Sequence, residues 1–316
     1  MKYVNNTQYY KLINDWKKFK KQFGKKYKNK TEEALHRMEF LNTKDLINKH
    51  NEMYKKGKSA FEMKINEISD FTLSKYNYRR GLKFNRTRFI INQDEDSRLL
   101  KNNVTIPESI DWRKYNRVSP VQNQLDCGAC WIFSGNGAME AAYAKKSGKL
   151  YSFSVQQVAD CYGGKACNGG WMTTAFQYGK LRGLEVTEDY PYVAKVRTCK
   201  YNQSKVVGRI KKWINLKKDE NNLKRVVGTI GPVSVGIDAS LSTFQNYKNG
   251  IYDDPKCTTN IDHAVLIIGY DTDPVFGDYW IVKNSWGTTW GINGYFKIKR
   301  GVNQCGIAEA PTYPIA

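Results

Sequence analysis

At 316 residues, the chain exceeds one ordinary domain and suits two units, or a two-lobed enzyme with an extension. Its content of 41% hydrophobic and 13% aromatic residues can bury sizeable cores, which excludes a disordered protein, and no apolar run approaches the roughly 18 residues of a membrane helix. The net charge of +21 is densest before residue 104, where 25 basic side chains face 12 acidic ones, yet no nucleic-acid reading motif accompanies it.

Met1 to Tyr10 is polar and lacks the hydrophobic core of a secretory signal. Leu12, Trp16, Phe19 and Phe23 then fall at helical spacing and predict one apolar stripe, with the lysines of Lys17-Lys18-Phe19-Lys20-Lys21 on the solvated faces. Gly24 is the expected stop. Thr31 precedes a second helical run from Glu32 to about Tyr54, closed by Gly57. Glu33, Arg37, Phe40, Ile47 and Asn51 share one side of it, and Glu33 with Arg37 has the order of a favourable ion pair. Phe61 to Asn66 alternates like a short strand. From about Tyr76 to Asn103 the chain turns basic, then acidic at Asp94-Glu95-Asp96, and reads as an extended linker open to proteolysis.

Composition changes after residue 103. All seven cysteines lie between Cys127 and Cys305. Residues 138–144 read as helix, and Val233 to Ile237, Ala264 to Ile268, Tyr279 to Val282 and Tyr295 to Ile298 as strands. Helices first and strands later predict an α+β enzyme of two lobes. Three disulfides plus one free thiol is the natural reading of seven cysteines and implies an oxidising, secretory route. The competing accounts are a reduced cytosolic protein and a zinc site at Cys127-x-x-Cys130, but Cys161 and Cys167 are too widely spaced for a zinc ribbon. Asn-x-Ser/Thr sequons at Asn5, Asn29, Asn85, Asn103 and Asn202 fit secretion.

A thiol attacks a carbonyl well only as thiolate, so it needs a base and an electropositive setting. Cys130, in Cys127-Gly128-Ala129-Cys130-Trp131, stands at the entrance of a predicted helix, whose unpaired amides favour the thiolate. The base must be a histidine, and residues 104–316 contain one, His263.

These segments resemble the papain-like cysteine proteases. Cys127 to Trp131 resembles the family's nucleophile signature, and Ile261-Asp262-His263-Ala264-Val265 its histidine segment. Lys283-Asn284-Ser285-Trp286-Gly287 with Trp290-Gly291 resembles its asparagine segment, and Cys167-Asn168-Gly169-Gly170 its glycine-rich substrate wall. The likeness runs from about Ile106 to Pro314. It implies a papain-like two-lobe fold, with a helical left lobe and a β-barrel-like right lobe over residues 104–316. It also implies a thiolate–imidazolium pair of Cys130 and His263, with Asn284 orienting the ring under Trp286. Gln124 is expected to aim its amide at the oxyanion, and no cofactor or metal is implied. By the same resemblance the disulfides are Cys127 with Cys167, Cys161 with Cys199 and Cys257 with Cys305. Matching positions line a second substrate pocket with Met172, Gly236, Ile261, Ala264 and Ala310, small enough at Gly236 and Ala310 to admit hydrophobic or aromatic side chains. Gly169 and Gly170 let substrate backbone approach, and Trp286 closes the site. Leu125 departs from the family's glycine and threatens to displace the Gln124 amide.

Residues 1–103 resemble the family's mainly helical inhibitory prosegment. Glu33, Arg37, Phe40, Ile47 and Asn51 match its long-helix motif, with Thr43 a departure. Asn66, Ile68 and Asp70 resemble the motif that follows, with Ile68 and Lys64 as departures. The long-helix motif points to the cathepsin L-like branch. The resemblance implies a zymogen whose prosegment crosses the cleft in a non-productive direction until the linker near residues 95–105 is cut. It implies a monomeric, lysosomal or secreted endopeptidase acting on polypeptides and open to cystatin-type inhibitors. A catalytically impaired scaffold and a peptide ligase on the same fold are the alternatives.

Overall fold

The computed structural model describes residues 6–91 and 104–316. The Asp94-Glu95-Asp96 stretch, Asn5, Asn103 and most of the expected processing region lie outside the described residues.

Helix α1 (Asn6–Gln22) packs on helix α2 (Lys30–Lys55). Asn29 caps α2 by accepting from the Glu32 N–H, and Glu32 and Glu33 occupy its first turn, where acidic groups complement the helix dipole. Trp16, Phe19 and Phe40 form the contact, with ring centroids 5.4 Å apart for Trp16–Phe40 and 4.6 Å for Phe19–Phe40. The expected Glu33–Arg37 pair is replaced. Glu33 accepts from the Trp16 indole at 3.1 Å and pairs with Lys20, because packing of α1 brings both groups across. Lys17, Lys18 and Lys21 stay exposed.

Three buried aromatic rings are a small core for so long a segment, and the rest of the prosegment is stabilised by what it covers. Ile47, Phe61, Met63, Ile68, Phe71 and Tyr76 join the core of the right lobe, and Leu82 joins that of the left. Strand β1 (Phe61–Met63), shorter than expected, pairs antiparallel with β5 (Tyr247–Tyr252). Beyond Met63 the backbone bends to let Asn66 Nδ2 donate to the Gln245 carbonyl at 2.9 Å. Asp70, 1% exposed, ties this bend to the helices: it accepts from Lys25 Nζ at 2.7 Å and from the Tyr27 hydroxyl at 2.9 Å. The expected extended stretch from Tyr76 begins inside a helix instead. Helix α3 (Leu73–Tyr78) starts at Thr72, whose hydroxyl accepts from the Lys75 N–H, and only after it does the chain straighten.

In the left lobe the helix Cys130–Ser147 is buried along most of its length, against the helices Val155–Cys161 and Met172–Leu181. Such all-round burial fits its small residues Gly135, Gly137, Ala138 and Ala141. The right lobe is one sheet, to which β1 adds an edge, in the order β1-β5-β8-β7-β6-β4-β9-β3. Its remaining strands are β3 (Lys212–Asn215), β4 (Val233–Ile237), β6 (His263–Asp273), β7 (Gly277–Lys283), β8 (Tyr295–Lys299) and β9 (Thr312–Ile315), and the short β2 (Ile110–Asp111) pairs with β6. Residues 263–270 of β6 are all buried, as expected of a strand covered on both faces. Cys127–Cys167, Cys161–Cys199 and Cys257–Cys305 are disulfide-bonded, and Cys130 is free.

Candidate active site

Two element termini meet at the lobe junction. Cys130 is the first residue of its helix and His263 the first of β6, both fully buried. The Cys130 thiol faces the backbone N–H groups of Ala264, next to His263, and of Gly81 from the prosegment. His263 Nε2 donates to Asn284 Oδ1 at 2.8 Å. That bond leaves the proton on Nε2 and the lone pair on Nδ1, which is buried and without a hydrogen-bond partner, the state required of a general base. The Trp286 ring lies 4.7 Å from the imidazole and is itself fully buried, so water is kept from the His263–Asn284 bond.

In the covered enzyme burial works against the thiolate–imidazolium pair that the resemblance implies. Burial pushes the Cys130 thiol up to about 12, against the smaller pull of the Ala264 and Gly81 N–H groups. Burial also brings His263 down to about 4, with its bond to Asn284 acting the other way. Both shifts share one cause, exclusion of water, which disfavours each charged form. Covering the cleft thus favours the neutral pair.

The prosegment supplies that cover. Gly81 N–H faces the thiol, Gly81 O accepts from the Gly170 N–H at 2.9 Å, and Lys83 N–H donates to the Gly170 carbonyl at 2.9 Å. Leu82 N–H donates to the Asp262 carbonyl at 3.0 Å. The resulting bridge of Leu82 with Gly170 is parallel. A Cβ on Gly81 would meet the Gly128 carbonyl oxygen at 2.0 Å, so only glycine passes this close to the loop before Cys130. Phe84 and Phe89 stack around Trp171, at 5.0 and 6.0 Å.

The Gln124 amide points at the prosegment. Its Nε2 donates to the Arg79 carbonyl at 2.9 Å and to the Cys127 carbonyl at 2.8 Å, while its Oε1 accepts from Ser285 Oγ at 2.7 Å. A covering carbonyl thus takes the donor expected to meet an oxyanion. Leu125 does not displace it: Leu125 adopts a left-handed conformation, φ +50°, of the kind that favours glycine, and is 47% exposed. That conformation costs a non-glycine residue about 1 kcal/mol. Leu125→Gly is accordingly expected to leave turnover within about threefold and not to lower the unfolding temperature; a tenfold change in kcat/KM would show that Leu125 shapes the oxyanion site.

Gly236 and Ile261 lie against Leu82, and Met172, Ala264 and Ala310 belong to the same left-lobe core as Leu82 and Ile261. Sequence reasoning missed three contributors. Ser285 fixes the Gln124 carbonyl, Asp262 pairs with Arg80, and Arg80-Gly81-Leu82 is the segment filling the cleft. A glycine inside an otherwise basic, bulky stretch was the available signal for the last.

Residues 106–315 match the papain family cysteine proteases, and residues 16–76 match the cathepsin propeptide inhibitor domain. A cathepsin L-like peptidase of Aedes aegypti is 39% identical over 326 aligned positions, covering 99% of this chain and 96% of that protein. Cathepsin S of Mus musculus is 42% identical, covering 95% of this chain and 89% of that protein. Among solved structures, a digestive procathepsin L from the larval midgut of Tenebrio molitor superposes with a TM-score of 0.87 at 36% identity, over 96% of this chain and all of that one. With the propeptide inhibitor domain packed on the right lobe and the segment that follows it, Arg79 to Lys83, laid across the cysteine–histidine cleft, the chain belongs to the papain family of cysteine proteases and is a cathepsin L-like proenzyme.

Proposed function

We propose that the uncovered enzyme cleaves polypeptides internally, with Cys130 as nucleophile, His263 as base, Asn284 as the group orienting the ring and Gln124 as an oxyanion donor. Cys130 attacks the carbonyl, the amine leaves with a proton from His263, and water hydrolyses the thioester. Hydrogen-bond donors at a developing oxyanion contribute about 3–4 kcal/mol each, and the Cys130 N–H at a helix start is placed to be the second. The second substrate residue is apolar. The carrying observation is Leu82, seated where a Cβ on Gly236 would lie 2.6 Å from its Cδ2 and 2.7 Å from Ile261 Cδ1. Gly169 and Gly170 supply the backbone wall, Trp286 the lid over the base, and the three disulfides support an oxidising secretory route, lysosomal or extracellular. The domain division at residues 103/104, a monomeric state and inhibition by cystatin-type proteins belong to the same reading. No observation favours a scaffold or a ligase.

Acid treatment with reductant, followed by dipeptidyl fluorogenic amides, tests this. Substrates with Leu or Phe in the second position should turn over and those with Asp or Lys should not. Gly236→Val should lower kcat/KM for the Phe substrate by about tenfold or more relative to an Ala substrate, since one bulkier side chain in an apolar pocket discriminates by about 1–3 kcal/mol. Equal loss on both substrates would remove Gly236 from the pocket.

A further inference from the structure

We infer that Asp262 selects substrates with arginine or lysine immediately after the cleaved bond, because the prosegment places Arg80 on this carboxylate one residue beyond the nucleophile. This rests on the reading just given, that Cys130 is the nucleophile and that Leu82 fills the second pocket on the acyl side.

The covering segment is a ruler laid along the cleft. Leu82 occupies the acyl-side pocket, and Gly81 N–H faces the Cys130 thiol. Arg80 therefore lies on the opposite side of the nucleophile, where the departing amine of a substrate must sit. There its guanidinium pairs with Asp262 Oδ2 and lies 5.0 Å from the Tyr76 ring. Asp262 Oδ1 accepts from the Ala239 N–H at 2.9 Å, which aims the other oxygen into the cleft. Tyr76, whose hydroxyl donates to the Ala239 carbonyl at 2.6 Å, also packs edge-on to Trp286. The leaving-side wall is thus an acid flanked by the Ala239 backbone and an indole.

Removal of the prosegment takes away Arg80 and Tyr76 together. What remains is a carboxylate whose side chain is 28% exposed with Arg80 in place and more exposed without it, and Arg80 is the single cation paired with it among the described residues. The groups that still act with it are Asp238, just past the end of β4, which with burial disfavours its charge, and the Cys130 thiol, whose ionisation Asp262 opposes; His263 follows it in the chain. A guanidinium or ammonium on the substrate relieves that unpaired charge, and a substrate carboxylate worsens it. In the covered enzyme burial raises the Asp262 carboxyl to about 6 against the pull of Arg80; uncovering admits water and relaxes that rise, so the carboxylate is charged and recruits a cation at neutral pH, an ability lost once acid protonates it.

The experiment uses acid-activated enzyme and internally quenched peptides of one sequence, with Leu in the second position on the acyl side. The first leaving-side residue is Arg, Gln or Glu. At pH 7 the expected order in kcat/KM is Arg over Gln over Glu, spanning at least about tenfold and narrowing as acid protonates the carboxylate. The effect belongs to kcat/KM, because the leaving residue is gone before the thioester is hydrolysed. Asp262→Asn should bring the Arg/Gln ratio to about one. A dipeptidyl amide with no leaving-side amino acid reports any general damage to turnover in that variant. A flat order in the native enzyme overturns the inference while leaving the protease reading intact, and so does an Arg preference that survives Asp262→Asn. No turnover of any peptide overturns both.

Discussion

Cys130→Ala is expected to abolish peptide hydrolysis, by about 10⁴–10⁶-fold, the range lost when a nucleophile is removed from a unit that acts together. The other six cysteines are in disulfides, so no neighbouring thiol stands ready to replace it. The same substitution removes one sulfur from a fully buried position and leaves the helix backbone untouched, so folding should survive with a small fall in unfolding temperature. Two readouts separate chemistry from collapse. Turnover of a fluorogenic amide should vanish, and the full-length chain should stay uncut at acid pH if removal of the prosegment depends on its own activity. Residual hydrolysis within tenfold of the native enzyme would mean that another group carries the reaction.

Alkylation of the same thiol should accelerate by at least about 10³-fold when the prosegment is removed. With the thiol held near 12, only about 10⁻⁵ of it is ionised at pH 7. Uncovering admits water, relaxing the shift caused by burial, and leaves the helix start and His263 to stabilise the thiolate; in papain, the handiest measure of such a pair, the thiol sits at about 3–4. Iodoacetamide labelling of the zymogen should therefore rise about tenfold per pH unit through the neutral range, and that of the uncovered enzyme should be nearly flat. The onset of rapid labelling should depend on acid. Asp262 sits near 6 with Arg80 paired and higher without it, since Arg80 lowers its value. Their attraction is accordingly present above that range and is lost as pH falls through it. Arg80→Gln should move the onset of activation to higher pH. Equal labelling of covered and uncovered enzyme would refute the neutral-pair account of latency.

Much of this was legible in the residues. The periodicities of α1 and α2, the turns at Gly24 and Gly57, and four of the right-lobe strands follow from apolar spacing and breaker residues, which are local properties. The chemistry was legible because residues 104–316 offer one histidine and because the segment around Cys130 resembles the family's nucleophile signature; the count of seven cysteines alone did not say which stays free. Local spacing misled at Glu33. Arg37 is its helical neighbour, but Lys20 and Trp16 reach it only because a second helix packs across. It also misled after Tyr76, where the linker-like composition conceals a helix and the segment that blocks the cleft.

The amino-acid order by itself determined which groups can react and which stretches coil or extend, since both depend on residue identity and on neighbours a few positions away. Tertiary structure alone decided the state in which those groups are held. Gly81 and Leu82 lie some fifty and two hundred positions from the residues they cover, and only their burial of the thiol and imidazole, by stripping both of water, favours the uncharged pair.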